Sequence, residues 1–315
     1  MANAQYIARG GEQVFRQPFL ARGVRFYGFT VKADEARLQE AVCDAFLNAP
    51  TGGAEDFRPA GPYAVLVFCD LQSLASTTPP DSEKGWFREQ EAAFWLLLVD
   101  HRRDRLVWFH PYIFVDNAYA LSMGREVYGF PKSLGWFQIP GPDEPLDRFA
   151  MDALVLKDFT PDTQAARERL FDVTVAAEGP GRWHLDWSDG RDMVRNLVRL
   201  LSDGDSIVDN LRLSANLVDD LEEGRVPMVF LKQFRDVADP DLACYQSIVE
   251  APCRMVNFGG GGLIHLDLDV TVHDVASHPI RRDLGLAEGP LRPVLSFWCE
   301  FDFEIGFGTE IWRSE

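Results

Sequence analysis

Lys132 is the residue whose type and setting most invite chemistry. It stands in the stretch VDNAYALSMGREVYGFPKSLGW, Val115 to Trp136, with Phe130 and Pro131 before it and Ser133, Leu134, Gly135 and Trp136 after it. The chain has only five lysines (Lys32, Lys84, Lys132, Lys157 and Lys232) against 26 arginines. A lysine among small, apolar and aromatic neighbours, in a chain that otherwise prefers arginine, fits a task that arginine cannot perform. An amine can lose its proton and attack a carbonyl; a guanidinium cannot. The plain alternative is a surface lysine in a turn after Pro131, and composition alone favours that alternative.

Other chemistry-bearing groups are sparse. Glu89 and Glu91 lie together in FREQEA, where Glu89 taken alone reads as the solvated end of a strand. Arg125 and Glu126 are adjacent and read as an ordinary ion pair. The glycine run Gly259 to Gly262 lacks the Gly-Lys-Ser/Thr ending of a phosphate loop and the spacing of a dinucleotide fingerprint, so it reads as a flexible hairpin turn. The six histidines (His101, His110, His184, His265, His273 and His278) form no HxxxH or HxH pair, and His273 and His278 are too widely spaced to suggest zinc; no metal site is expected. Neither Ser122 nor Ser133 sits in a GxSxG elbow, which argues against serine hydrolysis.

The elements that must carry these residues are mostly strands. Alternation and β-branched or aromatic content predict strands over Val24–Lys32, Tyr63–Leu71, Glu89–Val99, Arg105–Ile113 and Gly135–Ile139. They predict further strands over Arg148–Lys157, Leu170–Ala177, Trp183–Trp187, Val226–Phe234, Ala243–Val256, Gly262–Val272 and Val294–Glu304. Helical spacing of Leu38, Val42, Phe46 and Leu47 behind Asp34 predicts a capped helix over Asp34–Leu47. A short helix is expected at Asn117–Met123. Two more, Gly190–Leu201 and Ser206–Glu222, stand apart from the β-rich remainder and fit a lid, an oligomer contact or a packed excursion. Short strands with turn signals between them point to a barrel or sandwich rather than to alternating βα units.

Composition bounds the function classes. With 315 residues, 46% hydrophobic and 25% charged, the chain is that of a globular protein. A net charge of −18 argues against nucleic acid as a partner, without forbidding a small anionic substrate in a locally positive pocket. No apolar run reaches membrane-spanning length, and residues 1–16 lack the apolar core of a secretory signal. Five scattered cysteines without a CxxC fit reduced thiols in a cytoplasmic protein.

The stretch Asp116 to Gly135 resembles the signature of the acetoacetate decarboxylase family, with its DN…GRE…PK pattern. The residues that carry the likeness are Asp116, Asn117, Gly124, Arg125, Glu126, Pro131, Lys132, Leu134 and Gly135. Weaker likeness extends to Arg22-Gly23, to the aromatic-x-Glu of Phe87-Arg88-Glu89, to Met228–Lys232, to Ala243–Glu250 and to His273–Pro279. The resemblance implies a mainly β (α+β) fold: a single domain over residues 1–315 built on an antiparallel β-barrel with peripheral helices, and a partly helical insertion around residues 160–225. It implies a homo-oligomer and a lyase without metal or organic cofactor, in which Lys132 forms a Schiff base with a small keto acid. Glu89 then serves proton transfer or substrate positioning, with Glu91 as the alternative. Arg125 holds a carboxylate or tunes Lys132, Glu126 orients Arg125, and Phe130 and Ser133 flank the amine.

At one position the chain departs from the family. Ser133 stands where the decarboxylases carry a second lysine. Any lowering of the Lys132 pKa must then come from burial or from a cation elsewhere, such as Arg125. Relatives without that second lysine act on other keto acids as aldolases, dehydratases or cyclases. The implied reactions are therefore β-keto acid decarboxylation or aldol-type chemistry on a pyruvate-like acid, beside a third possibility, a barrel that binds ligand without turnover.

Overall fold

The computed structural model describes residues 5–8, 14–176, 182–187 and 227–314. The helices expected over Gly190–Leu201 and Ser206–Glu222 lie outside these residues, as does most of the expected insertion. The described part of residues 160–187 holds a turn followed by two strands, Ala166–Val175 and Arg182–Trp187, and no helix.

The described chain is built around one large sheet. The chain runs first through β1 (Phe19–Lys32), β2 (Phe57–Pro59), β3 (Tyr63–Ser76), β4 (Phe87–Asp100) and β5 (Arg105–Val115). It continues through β6 (Lys132–Gln138), β7 (Arg148–Val155), β8 (Ala166–Val175) and β9 (Arg182–Trp187). After the undescribed residues come β10 (Met228–Arg235), β11 (Ala243–Ala251), β12 (Cys253–His265), β13 (Leu268–Val272), β14 (Leu295–Ile305) and β15 (Thr309–Arg313). The strand order is β13-β8-β7-β6-β5-β4-β3-β1-β14-β12-β9, with β2 on β4 and a branch in which β10 pairs with β5 and β11, and β11 with β15.

Two features correct the expected antiparallel barrel. The sheet is mixed, because β5 runs parallel to both β6 and β10. Among the described residues its pairing ends at β13 and β9 without closing. The parallel β5–β6 pair has a local cause. The chain leaves β5, passes through a short helix and returns in the same direction, as a crossover connection must.

Sequence patterns place most strands well, and the differences have physical reasons. The β1 strand starts at Phe19, ahead of the expected start at Val24, because a bulge between Ala21 and Val24 lets it keep its pairing with β14. Ala243–Val256 is two strands, broken at Pro252, which has no N–H for a ladder. The glycine run is not a hairpin turn. It lies within β12, where shifts of register accommodate it, and Gly261 faces the backbone of β14 so closely that a Cβ would meet the Trp298 carbonyl oxygen at 2.9 Å. The predicted helix after β1 is α1 (Glu35–Arg37), whose Asp34 side chain accepts from the Arg37 N–H, and it widens into a π-helical stretch over Leu38–Asn48. The core follows the sheet: eight successive residues of β3, Ala64 to Leu71, are buried, as expected for a strand covered on both faces.

Candidate active site

Local structure carries Lys132 to the sheet. Asn117 caps helix α2 (Ala118–Met123) by accepting from the Ala120 N–H at 2.9 Å. Its amide also donates to the Arg88 carbonyl at 3.0 Å, and the Asp116 N–H donates to the Gln90 carbonyl. The Asp-Asn pair therefore ties the helix start to β4 on either side of Glu89. Helix α2 then loosens into one π-helical turn, Gly124–Tyr128, in which the Gly124 carbonyl accepts from both Gly129 and Phe130. Gly129 ends it at φ +88°, with the Lys232 backbone so near that a Cβ would lie 2.6 Å from the Lys232 Cα. The chain enters β6 with Lys132 as its first residue, opposite Ile113 of β5.

Gly124 is shaped by the lysine. A Cβ there would meet the Lys132 Cδ at 2.7 Å and Cε at 3.0 Å. The glycine of the GRE motif therefore leaves room for the lysine arm to lie along the helix. The aliphatic stem packs there and the ammonium reaches into a cavity of about 90 Å³. The cavity walls are mainly apolar, with Phe26, Trp95, Met123, Phe130, Phe301 and Phe303 among them.

Two carboxylates meet the ammonium. Lys132 Nζ donates to Glu89 Oε1 at 2.7 Å and lies 3.5 Å from Glu91 Oε2. The three side chains are 9%, 2% and 14% exposed. Glu89 and Glu91 are two apart on β4, so the pleat turns both to the same face. Phe130 adds a ring 5.4 Å from Nζ.

These contacts set the charge states. Burial, the largest single influence, favours the neutral amine. The carboxylates, Glu89 ahead of Glu91, more than offset it and hold Lys132 above the ordinary lysine range. Burial pushes Glu91 up to about 7, against the attraction of Lys132 and with the help of Glu89 beside it. One ammonium cannot neutralise two buried carboxylates, and the carboxyl that gains less from the lysine keeps its proton to higher pH. Burial thus pulls the Lys132 pKa down as the sequence suggested, but it does not prevail.

The structure brings Lys132, Glu89, Glu91 and Phe130 together and leaves the other expected site residues outside the cavity. Arg125 turns away: its guanidinium donates to the Lys132 carbonyl at 3.1 Å and lines a separate cleft with Phe46, Phe109, Pro131 and Leu231. Arg125 and Glu126 form no ion pair with each other; Glu126 lies near Lys232 and favours its ammonium. Ser133, the next residue on β6, points to the opposite face from Lys132 and does not line the cavity.

One lining residue escaped the sequence reading. His110, in the middle of β5, is buried against the cavity. Its signal was an imidazole within the otherwise apolar strand RLVWFHPYI. Among the described residues no group of three or more His, Cys, Asp and Glu side chains could hold a metal ion, and no helix is long and apolar enough to cross a membrane.

No family model and no curated protein matches the sequence. Solved structures do. Acetoacetate decarboxylase from Legionella pneumophila superposes with a TM-score of 0.64 at 13% identity, over 99% of this chain and 93% of that one. An acetoacetate decarboxylase-like enzyme from Sphingomonas wittichii gives 0.59 at 14% identity, over 99% and 100%. The enduracididine biosynthesis enzyme MppR, complexed with pyruvate, gives 0.55 at 15% identity, over 94% and 91%. With near-complete coverage on both sides, the chain has the acetoacetate decarboxylase-like fold.

Proposed function

We propose that the protein is a Schiff-base-forming lyase that acts on a small keto acid through Lys132. The observation that carries this reading is a buried lysine, 2.7 Å and 3.5 Å from two carboxylates, in a mainly apolar cavity. A structural ion pair needs one carboxylate, and burying a second beside it is costly; a proton-transfer site uses both.

The resting lysine is an ammonium. It becomes a nucleophile by passing a proton to a neighbouring carboxylate, and Glu91, at about 7, accepts one near neutrality. In an apolar cavity the neutral amine–carboxylic acid pair competes well with the ion pair, because burying two charges costs more than burying two dipoles. The amine nitrogen attacks the ketone carbon and gives up one of its two protons, which passes to the carbonyl oxygen. A second proton on that oxygen lets it leave as water, and the nitrogen lone pair closes the protonated imine. The carboxylate carbon–carbon bond then breaks, its electron pair moving into the imine to give carbon dioxide and an enamine. A protonated glutamate returns a proton to carbon, and water releases the ketone and free Lys132.

Decarboxylation is favoured over aldol chemistry by one observation. Among the described residues Lys132 is the only cation lining the cavity. Once it is engaged as an imine, a substrate carboxylate has no guanidinium or ammonium partner, and its departure as carbon dioxide relieves that state. Aldol chemistry keeps the carboxylate. The structural likeness to MppR in complex with pyruvate supports the aldol-type reading in turn.

Borohydride trapping tests the proposal. Incubation with acetoacetate or pyruvate and reductant is expected to leave a stable adduct on Lys132, located by peptide mass, and Lys132→Met is expected to abolish it. Carbon dioxide release then identifies decarboxylation, and aldehyde-dependent consumption of pyruvate identifies aldol chemistry. No adduct with any keto acid would sink the enzyme reading in favour of a protein that binds its ligand without turnover.

A further inference from the structure

The cavity has a second polar end. His110 is 1% exposed, and neither of its ring nitrogens has a hydrogen-bond partner in the protein. The Trp95 indole N–H, also buried, has none either. The two rings pack together with centroids 4.1 Å apart, and both line the cavity that Lys132 enters. Buried polar groups are almost always paired, because an unmade hydrogen bond in a dry interior is costly. Here three polar atoms on two touching side chains have no partner among the described residues, and they face the cavity and whatever occupies it.

The placement follows from register. Glu91 and Trp95 are four residues apart on β4, so they share a face roughly 13 Å apart along the backbone. His110 lies three residues before Ile113, the partner of Lys132, and this odd spacing reaches the same face because β5 carries an extra residue against β4 between Phe109 and Tyr112. Phe130 is the spacer between the two ends: its ring lies 5.4 Å from Lys132 Nζ and 6.1 Å from the His110 ring. A ligand joined to Lys132 must cross one phenyl ring to reach the imidazole.

We infer that His110 and Trp95 form a distal subsite that binds an uncharged oxygen acceptor, a carbonyl or hydroxyl, on the far end of the keto acid held by Lys132. Trp95 is a donor only, and a neutral imidazole offers one donor and one acceptor. Together they match a hydroxyl, which accepts and donates, or a carbonyl, which accepts from both. Burial and the nearby Lys132 keep His110 neutral, with its pKa pushed down to about 3. A neutral pair supplies no charge to hold a second carboxylate, and the other end already carries two. The substrate class is therefore a keto acid with a further keto or hydroxyl group beyond an apolar spacer, rather than a plain methyl ketone. His110 and Trp95 act in binding and specificity, and the inference rests on the imine-forming reading of Lys132.

The test separates the two claims. Calorimetric titration of the full-length protein would compare three keto acids of equal chain length, tipped with methyl, with hydroxyl or keto, and with carboxylate. Borohydride trapping on the same samples reports Lys132 independently. The expected result is a wild-type preference of about tenfold or more for the oxygen-tipped over the methyl-tipped acid, about the value of one or two hydrogen bonds. That ratio should collapse toward one in His110→Phe, fall in Trp95→Phe, and survive in part in His110→Gln, which keeps an N–H donor. Equal binding of methyl- and oxygen-tipped acids overturns the subsite, as does tightest binding of the carboxylate-tipped acid or an unchanged ratio in both Phe variants. If no acid is trapped, the imine reading fails, while the calorimetric ratio still decides the subsite. Should His110→Phe not fold, Trp95→Phe and His110→Gln carry the test.

Discussion

Glu91→Gln should stabilise the protein at pH 8 while impairing its chemistry. Glu91 is the buried carboxylate that the lysine satisfies less, and burial lifts its pKa from the usual 4.5 to about 7. A raised carboxyl pKa means that the folded state holds the proton more tightly than the unfolded state. The fold is therefore fully favoured in this respect below about pH 4.5. The advantage drains away as pH rises toward 7 and is gone above it. At about 1.4 kcal/mol for each tenfold change in proton affinity, the whole effect is about 3 kcal/mol. Glutamine keeps the shape and a hydrogen-bonding oxygen without the titration. Other carboxylates change stability with pH in both proteins alike, so the difference between wild type and variant isolates Glu91. Denaturant unfolding from pH 5 to pH 8 should show the Gln variant gaining on wild type with rising pH, by up to about 3 kcal/mol. A gap that is constant across that range, or one that favours the variant most at pH 5, would refute the charge assignment at the site. The same variant should lose borohydride trapping near neutrality, since the group that accepts the lysine proton has gone. Stability gained together with function lost is the usual signature of a site that is costly to hold.

Three further changes probe how the lysine is held. Gly124→Ala should displace the lysine arm, because the new methyl would come within 2.7 Å of Cδ. Misplacement on the ångström scale costs up to about a hundredfold in rate, so the trapping rate should fall steeply while thermal stability changes little, alanine being the better helix residue by about 1 kcal/mol. Glu89→Gln removes the stronger of the two carboxylate influences that hold Lys132 protonated. The free amine should then appear at lower pH, and the pH profile of imine trapping should move to lower pH; an unmoved profile would contradict the 2.7 Å ion pair. Asn117→Ala removes both the cap of α2 and its tie to β4, and should cost about 1–2 kcal/mol in thermal or denaturant unfolding.

Much of the site was legible because its central part is local. Asp116, Asn117, Gly124, Pro131 and Lys132 lie within seventeen successive residues, and each acts on its neighbours: a cap, a tie, a clearance and an entry into a strand. Glu89 was legible only through the aromatic-x-Glu likeness, since by pattern alone it is a charged strand end. The strands were readable wherever alternation or an apolar run persisted, as in β3 to β5. The glycine run misled because glycines signal turns locally, whereas here they admit the close approach of β14. The antiparallel expectation failed at β5–β6 because strand direction depends on how the chain returns after α2.

The sequence by itself determined that a lone lysine would sit among apolar residues at the end of a short helix, and that most of the chain would be strand. Tertiary structure alone decided the chemical state of that lysine. Its two carboxylates come from β4, some forty residues earlier, and they outweigh burial only because the pleat turns both to the same face. The same folding turned Arg125 and Ser133 away, since a helical turn and a strand each point successive side chains in different directions. It also brought His110 and Trp95 into ring contact on neighbouring strands against the cavity, with their ring nitrogens unpaired, which no local pattern signals. Residue types and local spacing fix which groups are available, but charge state and specificity depend on distances across strands, and those exist only once the register is set.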